Sequence, residues 1–285
     1  MIWPFLFLFG GCSQIDALFD HPLSDQKSVK KTDTDEQNRT RTKTASLPHI
    51  CFNPNTTPID EILQEKGLKP GIPLYIRIFK LEKELELWGK NKEHYELLKT
   101  YPICKYSGKL GPKLKEGDKQ APEGVYVLTR KSLHPYSRFH LALNIQYPNR
   151  YDRNHHRTGN LIMIHGKCSS TGCFAMGNTQ IEEIYRMVES AFLHHEKFIY
   201  VAIYPFRMKE ETLALYKDCY WYPFWLNLKT GYDFFEQTHV PPFVGVKKDM
   251  YVFQKRGTDI NKTVMTASLE TNASKQNRSM NLTQN

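Results

Sequence analysis

Along the middle of the chain, apolar positions recur mostly at a period of two, the spacing of strands with one face buried. Leu74, Ile76 and Ile78 alternate within residues 73–81, residues 85–88 continue the pattern, and residues 96–104 supply a third strand, an order that predicts antiparallel hairpins. Residues 124–129 and 198–204 read as further strands, and residues 243–252 as a closing strand pair. In residues 139–146, Phe139, Leu141, Leu143 and Ile145 form a core face, while His140, Ala142 and Asn144 form the opposite, more polar one. Helical spacing is rarer. Ile59, Ile62 and Leu63 mark a short helix within residues 58–66. A longer helix carries Ile181, Ile184, Tyr185, Val188 and Phe192, opened by a Thr179–Glu182 capping-box pattern. Residues 224–235 predict another helix, ending near Gly231.

The pattern fails at both ends. Residues 20–56 are charged and Thr-rich, with too little apolar surface to fold, and are expected to be a tether. Residues 256–285 are expected to be a disordered tail. Residues 1–19 read as an export region. Their apolar run, residues 2–9, falls short of the about twenty residues that span a bilayer, and Gly10-Gly11-Cys12-Ser13 follows it. That junction resembles a bacterial lipobox, which implies lipidation of Cys12, although no Lys or Arg precedes the run and Phe9 stands where Leu is usual. Residues 57–255 are left as the folded domain. The net charge of +9 is shared between tail and body, where basic and acidic residues alternate, so it reads as solvated charge, with a polyanionic cell-wall or membrane surface as the next reading, and not as a nucleic-acid stripe.

The chemistry concentrates in residues 161–176, LIMIHGKCSSTGCFAM. An apolar strand runs into His165-Gly166, a loop of small residues follows, and Gly172-Cys173 closes it. A histidine and a cysteine so placed can meet as base and thiol nucleophile, with the His165 charge and loop N–H groups lowering the thiol pKa and cradling an oxyanion. Two other readings compete: a buried structural thiol, and a zinc site built from His165, Cys168 and Cys173 with His155 and His156 nearby, at a spacing unusual for zinc. Cys168 reads as small filler in preference to a redox partner of Cys173. Export implies one or two disulfides among Cys51, Cys104, Cys168 and Cys219, with the connectivity left open.

The motif HGKCSSTGCFAM is similar to the catalytic motif of the L,D-transpeptidase (YkuD-like) cysteine enzymes, in particular their short-loop, YafK-type branch, which also continues with an Ala-Met pair. Residues 111–126, 137–143, 147–159, 204–208 and 224–238 resemble the same branch in the same order, so the likeness runs over about residues 71–254. It implies a β-rich α+β fold, a β-sandwich of mixed sheets with a few flanking helices, which agrees with the strands counted above. It further implies that Cys173 attacks the diamino-acid carbonyl of a peptidoglycan stem peptide to give a thioester, that His165 is the base oriented by a backbone carbonyl, and that Gly172 and the Cys173 amide form the oxyanion hole. Ser170-Thr171 stands where the wider family often has Ser-His. His140, Tyr147, Arg157, Tyr204 and Arg207, together with Asp152, are candidate substrate-binding residues, the arginines for a stem carboxylate. No cofactor or metal is expected. The implied setting is the bacterial periplasm, lipid-anchored and monomeric, with peptidoglycan stems and a wall-linked lipoprotein as partners. Hydrolysis is favoured over transfer to an amine because the short loop offers little scaffold for a bulky acceptor. The competing class is a non-catalytic, lipid-anchored peptidoglycan-binding protein, for which an intact Cys173 and His165 have no use.

Overall fold

A computed structural model describes residues 57–255. The expectations for the export region, Cys12, the tether, Cys51 and the tail lie outside the described residues. In chain order the elements are α1 (Ile59–Glu65), β1 (Leu74–Phe79), β2 (Glu84–Asn91), β3 (His94–Pro102), β4 (Lys105–Tyr106), β5 (Gly124–Leu128), β6 (Leu133–Ser137) and β7 (His140–Asn144). They continue with α2 (Arg150–Asn154), β8 (Met163–His165), β9 (Phe174–Ala175), α3 (Asn178–Leu193), β10 (Ile199–Tyr204), α4 (Glu210–Ala214), α5 (Tyr222–Thr238), β11 (Phe243–Lys247) and β12 (Met250–Gln254).

These strands make two five-stranded mixed sheets and a separate β11–β12 hairpin. The first has the order β3-β2-β1-β10-β5, with β1 and β10 parallel and the other neighbours antiparallel. The second has the order β4-β9-β8-β7-β6, with only β8 and β9 parallel. One core joins Ile76 and Ile78 of β1, Val201 and Ile203 of β10, Leu143, Ile164 and Phe174 of the second sheet, and Ile181, Ile184 and Val188 of α3. All six residues of β1 are buried because its other face is covered too. Tyr75 and Phe79 meet Phe235 and Tyr232 of α5 at ring-centroid distances of 4.7 and 6.3 Å. Arg77, buried between them, is paired with Glu86 at 2.7 Å.

The loop of residues 107–123 would be a floppy connection without its internal anchor. Lys80, fully buried, donates to the carbonyls of Lys109 (2.7 Å), Gly111 (2.8 Å) and Ala121 (3.1 Å) and to Glu123 Oε1 (2.9 Å). Glu123, equally buried, also accepts from the Gly111 N–H and from Trp225 Nε1. A charge pair with its remaining sites hydrogen-bonded is the form in which burial of two charges is tolerated.

Two local expectations are corrected, and several short elements are added. The Thr179–Glu182 capping box does not form: α3 starts at Asn178 behind Gly177, with no side-chain cap, and Glu182 pairs instead with His140. Helix α5 does not end near Gly231 but runs through it to Thr238, and the glycine is needed because an added Cβ would lie 2.4 Å from the Phe253 ring. Strands β4, β6 and β9 and helices α2 and α4 were not anticipated; each is five residues or fewer, too short to show a period.

Candidate active site

Strand β8 places the histidine. In the β7–β8–β9 ladder His165 lies between Ala142 and Ala175, on the face opposite the core pair Ile164 and Phe174. Continuing the parallel β8–β9 register one step back sets Met163 beside Cys173. Cys173 and His165 therefore emerge on the same face of neighbouring strands, two positions apart along the ladder, as diagonal neighbours. This is also the face formed by Ala142 and Asn144 of β7, the polar side read from the sequence.

Residues 166–173 connect the two strands, a short link for a parallel crossover, and side contacts hold it closed. The Gly177 N–H donates to the Lys167 carbonyl, and the Lys167 N–H to Asn178 Oδ1. Ser170 Oγ donates to the Cys173 carbonyl at 2.6 Å. Cys168 forms a disulfide with Cys104, just before β4. That corrects the filler reading of Cys168 and removes the middle ligand of the imagined zinc set. Among the described residues no group of three or more His, Cys, Asp or Glu side chains is arranged to hold a metal. Gly172 has φ +98°, a conformation that side chains rarely adopt, and its N–H donates to Ser107 Oγ at 2.6 Å.

The imidazole is 2% exposed, with Nδ1 2.6 Å from the Gly166 carbonyl oxygen. A carbonyl can only accept, so Nδ1 carries the hydrogen and Nε2 presents its lone pair. The Phe139 ring, 4.6 Å away centroid to centroid, covers it. Burial holds the His165 pKa below its ordinary value, against a smaller opposing effect of the Gly166 hydrogen bond. Cys173 Sγ lies 3.7 Å from the Leu161 carbonyl. Burial pushes the Cys173 thiol up, with the Met163 backbone and Lys113 pulling weakly the other way. The expected lowering of the thiol pKa is therefore corrected, because desolvation outweighs the positive partners. Both shifts favour the uncharged forms, a thiol at Cys173 and a neutral imidazole at His165, on one face of neighbouring strands.

The structure separates the other candidates. His140 is exposed, with φ +74° and Nε2 2.6 Å from Glu182 Oε1, beside the motif: its Cβ is 3.0 Å from where a Cβ on Gly166 would stand. Tyr147 is buried and donates to the Lys113 carbonyl, bracing the stretch that brings Lys113 near Cys173. Arg157 is buried against Asp152 at 2.8 Å, and Asp152 also accepts from Tyr126. Arg207 is held by Glu84 and Glu86 of the first sheet, both at 2.6 Å. Tyr204 is buried against Phe79 and Tyr232, and its hydroxyl is hydrogen-bonded to that of Tyr75. Their charges and hydroxyls are engaged by the fold, so these last four do not fit the substrate-binding role expected of them. The sequence reading missed Ser107, Lys113 and Phe139. Its one pointer was the long polar loop from residue 107.

Comparison with known proteins adds a family. Residues 73–213 match the model of the YkuD L,D-transpeptidase catalytic domain. The Escherichia coli protein named "Putative L,D-transpeptidase YafK" is 46% identical over 201 residues, covering 70% of this chain and 81% of that protein. Among solved structures, the helical cell shape determining protein Pgp2 of Campylobacter jejuni aligns at 19% identity over 70% of this chain and 85% of its own, with a TM-score of 0.38. Bd1075 of Bdellovibrio bacteriovorus aligns at 16% identity over 63% and 79%, with a TM-score of 0.35. On the motif, the matched span and the extent of identity to its relative, the chain belongs to the YkuD family of L,D-transpeptidase catalytic domains.

Proposed function

We propose that the chain is a cysteine acyl-transfer enzyme that acts on the peptide stems of peptidoglycan. The observation that carries this reading is the tautomer of His165. With Nδ1–H tied to the Gly166 carbonyl, Nε2 is left as a base on the face where Cys173 emerges. Family membership makes the function peptidoglycan-related. In the proposed reaction Nε2 takes the Sγ proton as sulfur adds to the diamino-acid carbonyl carbon. The tetrahedral adduct then collapses, the C–N bond breaks, and the imidazolium returns its proton to the departing amine. A thioester on Cys173 remains. Because both groups rest neutral, the proton moves during attack and not beforehand. The connecting loop is pinned by a disulfide and offers little backbone to seat a second peptide, which favours water as acceptor and an amidase outcome over transpeptidation. Export to the envelope and lipidation at Cys12 belong to the same proposal, and Cys12→Ser would release the protein from the membrane fraction.

Incubation with purified sacculi that carry attached lipoprotein, followed by mass spectrometry of the muropeptides, tests the reading. Released lipoprotein with restored free stems in wild type but not in Cys173→Ala supports the hydrolase. New cross-links dependent on Cys173 would move the assignment to the transpeptidase. No Cys173-dependent change in either would leave a non-catalytic wall-binding protein.

A further inference from the structure

Strand β4 lies on the far side of β9 from β8. In their antiparallel ladder Lys105 faces Ala175 and Tyr106 faces Phe174. One step further sets Ser107 opposite Cys173. Directly opposed residues put their side chains on one face, with Cβ atoms roughly 4.5–5.5 Å apart. Cys173 thus has the Ser107 hydroxyl across from it on the β4 side and, on the β8 side, Met163 across from it with His165 on the diagonal of the same face.

Ser107 is also held in place. The Cys104–Cys168 disulfide ties the start of its segment to the catalytic loop, and its carbonyl accepts the Ala121 N–H at 2.9 Å. Ser107 Oγ accepts the Gly172 N–H at 2.6 Å. That N–H is the donor an oxyanion next to Cys173 would be expected to use, and here it points at Ser107. A hydroxyl that accepts one bond keeps its own hydrogen for another partner, and acceptance makes it a better donor. Ser107 is half-buried, so its hydroxyl is not sealed from the site face.

We propose that the Ser107 hydroxyl is a catalytic residue: it relays the Gly172 N–H to the oxyanion of the tetrahedral adduct. The assignment rests on the acyl-transfer reading above. As sulfur adds to the carbonyl carbon, the C=O π pair moves onto oxygen, and the oxyanion accepts the Oγ–H while Oγ still accepts from Gly172. No bond to that hydrogen breaks. When the pair returns and the C–N bond cleaves, the hydroxyl is unchanged.

The test compares wild type, Ser107→Ala, Ser107→Thr and Ser107→Val on soluble muropeptides prepared from sacculi, with Cys173→Ala as the blank. Loss of one oxyanion donor lowers kcat by about 10²–10³-fold. That fall is expected for Ala and Val, with KM nearly unchanged, whereas Thr retains kcat to within several-fold. Thr and Val share a shape and differ in the hydroxyl, so this pair decides the matter even if Ala does not fold. Equal or faster kcat in Ser107→Ala or Ser107→Val would overturn the assignment, since it would mean that the freed Gly172 N–H serves the oxyanion directly. Equal loss in Thr and Val, at unchanged thermal stability, would overturn it as well. A wild type with no Cys173-dependent product would bring down the acyl-transfer reading, and this assignment with it.

Discussion

Replacing Lys80 by Met removes the charge at the centre of the loop that begins at Ser107. The Lys80 ammonium has four acceptors within 3.1 Å, three of them carbonyls spread over that loop. Among the described residues Glu123, also fully buried, would keep the Gly111 N–H and the Trp225 indole as donors. Breaking a buried ion pair from one side costs about 3–5 kcal/mol, most of it the unpaired charge that stays behind. For a domain of this size each kcal/mol lowers Tm by roughly 2–4 °C, so the variant should melt roughly 6–20 °C below wild type. Lys80→Met/Glu123→Gln should recover part of that loss, because the stranded carboxylate is gone. Urea unfolding at neutral pH with unchanged m measures all three proteins, and sacculus digestion reports whether the loop still supports the site. A cost below about 1 kcal/mol for Lys80→Met, or a double variant less stable than the single one, would refute the argument that the pair holds the loop.

The disulfide closes a stretch of 64 residues, so Cys104→Ser/Cys168→Ser should lose about 4 kcal/mol on the chain-entropy account, read by urea unfolding. If His165 is the base, as proposed, it must be neutral, and because burial holds its pKa below 6.5 the acid limb of kcat/KM against pH should lie below that value. Phe139→Ala uncovers the ring and should move the limb back up; a limb that stays put would mean that Phe139 does not desolvate the base. The same depression has a stability sign: the unfolded imidazole takes up its proton near 6.5 and the folded one resists, so the His165 contribution is present above that value and lost as pH falls through the folded pKa. Gly166→Ala would place a Cβ 2.7 Å from the Phe139 carbonyl oxygen and 3.0 Å from His140 Cβ. It should cost about 1–3 kcal/mol by unfolding and, by shifting the carbonyl that fixes Nδ1, should abolish muropeptide turnover.

What the sequence made legible were the long elements, β1 to β3, β10, α3 and α5, whose apolar spacing repeats often enough to be read, and the short apolar strand that ends at His165. Arg157, Arg207, Tyr204 and Asp152 were misread because a polar residue amid family-like motifs looks the same whether it faces a substrate or a buried partner. Asp152 and Arg157 are five positions apart, and only the short helix α2, invisible to periodicity, turns them towards each other. The thiol pKa was misjudged for a related reason: sequence displays the charges near Cys173 but not the burial that outweighs them.

Ser107 marks the limit of such reading. It reaches Cys173 through two strands of two residues each, β4 and β9, and a two-residue strand has no period to detect. Yet those strands determine which side chain falls opposite Cys173, because ladder register is discrete: a slip of one residue would send Ser107 to the core face and bring Tyr106 to the site face. The register is fixed at its margins, by the Cys104–Cys168 bond on one side and the Gly172–Ser107 hydrogen bond on the other. Half of the geometry around Cys173 therefore depends on covalent and polar ties between segments more than sixty residues apart. For that reason a local motif that points to Cys173 and His165 leaves Ser107 unnamed.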